Sequence, residues 1–133
     1  WIEEKYQENG KEKLLKRIYL GRDQCGNVVK EEVYDANGTY AYSIIREYNE
    51  QGGLLSETNP LRQKRTFTYD ARGRCISGTN FSERLKEERL YDTKSRLLEN
   101  KIIGVDGIVH CTNYNYDGND DLIQKIDSYN HIY

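Results

Sequence analysis

His110 and Cys111 are adjacent, and together they are the residue types of a base and a nucleophile. Neighbours on a strand point to opposite faces, so this pair is badly placed to bond. Asp117-Gly118-Asn119-Asp120-Asp121 places acidic and amide oxygens at alternate positions, as a calcium loop would. Leu122 stands where such a loop needs glycine, and Ser128 where it needs its closing glutamate. Turn chemistry accounts for the same residues. Arg62, Lys64, Arg65, Arg72 and Arg74 surround Phe67 and Tyr69. Basic side chains among aromatics can hold a polyanion, an acidic glycan or a single strand of nucleic acid. No recognised nucleic-acid motif accompanies them, so no nucleic-acid partner is expected. Cys25, Cys75 and Cys111 are odd in number and far apart, with neither a disulfide framework nor a zinc spacing. No base, nucleophile and metal set converges, and the expectation is a protein that is not an enzyme and uses no cofactor. The second histidine, His131, is expected in a frayed tail.

The elements that position these residues follow from composition. The 133 residues suffice for one domain with a modest core. A mean hydropathy of -0.94 would suit a disordered chain. Twelve tyrosines argue for half-buried strands instead. No apolar run approaches the length of a membrane-spanning helix. The sequence starts at Trp1 and contains no methionine, which predicts a piece of a longer protein. Charge is segregated, with net -3 over residues 1–58, +5 over 59–96 and -4 over 97–133. A basic middle of this kind suits either a solvated face or a shallow polyanion site.

One eight-residue frame recurs five times: RDQCGNVV at 22–29, YNEQGGLL at 48–55, YDARGRCI at 69–76, YDTKSRLL at 91–98 and YDGNDDLI at 116–123. Tyr48, Tyr69, Tyr91 and Tyr116 open four of these frames. Asp23, Asn49, Asp70, Asp92 and Asp117 come second, and the fifth place holds Gly26, Gly52, Gly73, Ser95 and Asp120. Asp or Asn at the start of a type I turn accepts a bond from the backbone two residues on. Glycine then takes the left-handed conformation of a bulged hairpin loop. Each frame therefore reverses the chain, with tyrosine ending one strand and the apolar pair starting the next. Further turns fall near Asn9-Gly10, Asp35 to Gly38, Asn59 to Arg62, Asn80 to Glu83 and Asp106-Gly107. Strands are predicted over 12–21, 27–34, 39–48, 54–58, 64–69, 75–80, 84–91, 97–103, 108–116 and 122–129. The five aligned turns would share one rim.

Residues 1–18 and 82–92 are also rich in helix formers. Tyr6 to Gly10 copies Tyr34 to Gly38, and this favours a hairpin over a helix in 1–18. The fold class expected is all-β. It is a single domain over 1–133, an extended, twisted antiparallel β-meander of about ten strands built from hairpin repeats. Its end strands would be open edges, which invites edge-to-edge dimerisation of the isolated piece.

The frame resembles the YD repeat of Rhs proteins, insecticidal-toxin C components and teneurins. Tyr69, Asp70, Gly73 and Ile76 carry the likeness, with matching sets at Tyr48, Tyr91 and Tyr116. Thr58 to Asp70 is similar to a full unit, a proline turn leading into the next Tyr-Asp, and the likeness spans about residues 6–129. The resemblance implies hairpins in a long sheet that spirals into a hollow shell. That shell encloses a toxin in bacterial members and belongs to an extracellular adhesion module in teneurins. It thus implies a structural scaffold segment, secreted or at the cell surface, whose partners are further repeats and a toxin domain. Ser95 and Asp120 depart from the turn glycine and Arg22 from the tyrosine, and 133 residues cannot close a shell. No copy of the family's self-cleaving aspartyl segment is found, so that activity is not implied. The alternative is a surface module that binds a glycan or a protein, with sugars stacking on exposed tyrosine rings.

Overall fold

A computed structural model describes residues 1–131, with side chains through Tyr129. The described residues form strands and turns, with no helix among them. They divide into two units, one covering Trp1–Lys64 and the other starting at Arg65.

The first unit is an antiparallel meander of β1 (Ile2–Glu8), β2 (Lys11–Arg22), β3 (Val28–Asp35), β4 (Tyr40–Tyr48) and β5 (Leu54–Thr58). The segment with competing helix propensity is the β1–β2 hairpin. Asn9 and Gly10 both have positive φ, 52° and 73°, the conformation that a two-residue hairpin loop demands. Opposite charges then pair across the strands, Glu3 with Arg17 and Glu4 with Lys16 directly opposite and Glu8 with Lys13 on the diagonal. Such exposed pairs add little stability, but a one-residue slip would misalign all of them. The hairpin expected in 1–18 adds β1 to the ten strands given bounds from sequence, so eleven are present among the described residues.

The second unit is itself an antiparallel meander, of β6 (Lys64–Tyr69), β7 (Cys75–Thr79), β8 (Leu85–Tyr91), β9 (Leu97–Gly104), β10 (Ile108–Tyr116) and β11 (Leu122–His131). The backbone of His131 closes β11 opposite Ile108, where a frayed tail was expected; its side chain lies outside the described residues.

Among the described residues each unit is one sheet without a second layer, so burial is shallow. Val33, Val109 and Cys111 are the buried apolar residues, and Ser56 and Thr112 join them. Stability must come from cross-strand neighbours on each face. Gly78 shows how close these approach, since a Cβ there would sit 2.8 Å from the Phe67 ring.

Candidate functional site

The turns carry the densest chemistry. In the first unit, Asp23 Oδ1 accepts the N–H groups of Cys25 and Asn27, each at 2.9 Å. Asn49 Oδ1 accepts those of Gln51 and Gly53 at 3.0 and 2.7 Å. The Gly26 and Gly52 N–H groups close the turns on the Asp23 and Asn49 carbonyls, with φ of 86° and 82°. In the second unit Asp70, Asp92 and Asp117 make the same pair of side-chain bonds. Gly73, Ser95 and Asp120 take the left-handed place at φ of 80°, 66° and 69°. Pairing slips by one residue beside Arg22, Tyr48, Tyr69, Tyr91 and Tyr116, the bulge that this loop type produces. The turns at Asp35 and Asn59 close identically, so this chemistry is not confined to the five aligned frames.

In the second unit a second set of contacts joins successive frames. Arg74 donates from Nε to Asp70 Oδ2 at 2.6 Å and from Nη1 to the Asp92 carbonyl at 2.9 Å. Its guanidinium lies 4.9 Å from the centre of the Tyr91 ring. The Tyr91 hydroxyl donates back to the Cys75 carbonyl at 3.1 Å. The next frame repeats this. Arg96 donates to Asp92 Oδ2 and to Asp120 Oδ1, each at 2.6 Å, and lies 4.7 Å from the Tyr116 ring centre. The Tyr116 hydroxyl donates to the Leu97 carbonyl at 2.7 Å. Each arginine thus holds its own turn and reaches the following one. A planar fork that also stacks on a ring suits this task, and lysine does not.

The electrostatics agree. The Asp70 carboxyl is held below its ordinary range chiefly by the Arg74 N–H, with the Arg74 guanidinium and the Arg72 N–H adding to it against desolvation. At Asp92, desolvation is the largest influence and pushes upward, but the Arg96 N–H and guanidinium together outweigh it. The Asn27 side-chain amide lowers Asp23.

The other sequence-predicted residues fall as follows. Lys64 Nζ is 3.4 Å from Glu47 Oε2. Arg65 covers the Phe67 and Phe81 rings at 5.4 and 4.6 Å. Arg72 donates to the Thr93 carbonyl at 2.7 Å. Arg62 takes the left-handed place of its turn, at φ 62°. The basic residues are thus mostly engaged with the protein's own turns and rings. His110 stacks on Tyr129, centroids 4.4 Å apart, while the buried Cys111 Sγ lies 3.5 Å from Glu99 Oε2. Desolvation, then the Glu99 carboxylate, push the Cys111 thiol up, away from a reactive thiolate. Asp120 is paired with Lys94 and Arg96, and no metal-holding group of three His, Cys, Asp or Glu occurs among the described residues. Arg96 was missed from sequence. Its signal was available, since Arg74 and Arg96 hold the same sixth place in consecutive frames.

Comparison with known proteins gives one sequence match. The RHS Repeat family model matches residues 48–80, from the end of β4 through β7. No curated protein matches. Among solved structures, the crystal structure of TcdB2-TccC3 is similar at 12% identity over 88% of this chain, with a TM-score of 0.45. The crystal structure of TcdB2-TccC3-TEV is similar at 13% identity over 88%, with a TM-score of 0.44. The chain covers 9% of either of those chains.

Proposed function

We propose that this chain, which carries an RHS repeat at residues 48–80, is a non-catalytic wall segment of a secreted or surface protein that is associated with a toxin or effector. The observation that carries the structural part is the linkage of successive turns by Arg74 and Arg96. Each guanidinium binds its own Asp, the next turn and the next tyrosine ring. Such contacts make a sheet that grows by neighbour-to-neighbour addition, as repeat proteins do. The residues that looked reactive are spent on packing and turn closure, which supports a role without turnover. Association with a toxin, and secretion, rest on the resemblance of the frame to Rhs proteins.

The complete coding sequence tests this reading. A long run of further frames followed by a C-terminal domain of unrelated sequence is expected. Co-purification of that domain with the repeats should then follow when the whole protein is expressed. A complete reading frame of about this chain's size would overturn the proposal.

A further inference from the structure

The turn between β5 and β6 differs from its counterparts in the first unit. Asn59 closes it in the usual way, with the Arg62 N–H donating to the Asn59 carbonyl at 2.9 Å. The left-handed place, however, holds arginine at φ 62°, where the turns at Asp23, Asp35 and Asn49 hold Gly26, Gly38 and Gly52. A side chain at such φ strains the backbone. The Arg62 side chain is exposed and makes no hydrogen bond or ion pair among the described residues.

Beside it lies a cavity of about 370 Å³ lined by Tyr40, Ser43, Ile45, Thr58, Pro60 and Arg62, together with Asn59. Tyr40 is 52% exposed, yet its position is fixed. Its hydroxyl donates to Ser43 Oγ at 3.0 Å and its ring meets Tyr34 edge-on at 5.9 Å. The aromatic series runs on from there, Tyr34 to Trp1 at 5.6 Å and Trp1 to Tyr19 at 5.4 Å. A held ring face, two hydroxyls and one unpaired guanidinium are the complement of a sugar that bears a carboxylate. The C–H face of the sugar stacks on the ring, its hydroxyls meet Ser43 and Thr58, and the carboxylate takes the arginine fork. The net charge of -3 over residues 1–58 disfavours a dense polyphosphate, whereas one cation matches one carboxylate.

We propose that this cavity binds a carboxylated saccharide, with Arg62 holding the carboxylate and Tyr40 the sugar ring. The site goes beyond the scaffold role and does not depend on it. Calorimetric titration of the 133-residue chain with a hyaluronan tetrasaccharide, a galacturonate tetramer and 3′-sialyllactose tests it. Chitotetraose supplies the neutral control and poly-glutamate the carboxylate without sugar. At least one acidic saccharide should bind roughly tenfold more tightly than either control. Arg62→Gly removes the guanidinium and relieves the backbone, so its thermal midpoint should hold or rise while affinity falls about tenfold. Tyr40→Leu should weaken binding as well. Unchanged affinity in Arg62→Gly, equal binding of chitotetraose or poly-glutamate, or no binding by any acidic saccharide up to about 10 mM would overturn the proposal.

Discussion

Arg96 makes two bonds of 2.6 Å to carboxylates and covers a ring, while its side chain is only 26% exposed. Lysine keeps the charge but cannot span Asp92, Asp120 and Tyr116 together. Arg96→Lys should therefore lower the urea midpoint nearly as much as Arg96→Ala. Full rescue by lysine would reduce the contact to simple charge pairing. Ser95 presents the opposite case. It holds φ 66° with a marginal bond from Arg74 at 3.3 Å, in a place that glycine fills more easily. Ser95→Gly should raise stability by roughly 0.5–1 kcal/mol, read from the urea midpoint. A lower midpoint would mean that the serine hydroxyl outweighs the backbone strain. The tyrosines and turn acids were legible because turn chemistry depends on residue type at fixed offsets. For Arg74 and Arg96 the shared sixth place was legible but the groups they bind were not, because those depend on which turn lies alongside, and that is settled only once register is known.

Strand register is where Gly78 matters. Its missing Cβ admits the Phe67 ring from the paired strand, opposite which it sits in β7. Gly78→Ala should destabilise by about 1–3 kcal/mol, since either the ring or the strand must shift. Gly78→Ala combined with Phe67→Leu should recover part of that loss in the same unfolding assay; no recovery would place the damage elsewhere. Most strand positions could be read in advance because turn signals bracket them. β1 was legible only as one arm of the hairpin expected in 1–18, without bounds of its own, for two reasons. Its Glu and Lys residues have helix propensity, and its strand character comes from the opposite charges of β2. The likeness of Tyr6–Gly10 to Tyr34–Gly38, ending in Asn9-Gly10, marked the reversal.

For the whole molecule, acid is the informative perturbation. Asp23, Asp70 and Asp92 all have folded-state pKa values lowered by the turns they close. A lowered carboxyl contributes stability that is present above its unfolded value, near 4, and lost as pH falls through the lower folded value. Urea midpoints should thus fall on going from about pH 5 to about pH 2. Asp92→Asn should flatten part of that fall and keep the turn, because asparagine already closes the turns at Asn49 and Asn59. A midpoint independent of pH over that range would show that the acids contribute nothing as charges. The all-β class was legible in twelve tyrosines and a recurring reversal. The cavity beside Arg62 was not, because Tyr40 and Arg62 belong to different turns and only strand pairing brings them together.

In the second unit the arginine linkage runs forward along the chain, from the frames at Tyr69 and Tyr91 to the ones that follow. Rungs wired only to adjacent rungs can be added or deleted whole without disturbing distant ones. Copy number is then free to drift between relatives, and a lesion in one rung stays confined to that rung and its two neighbours.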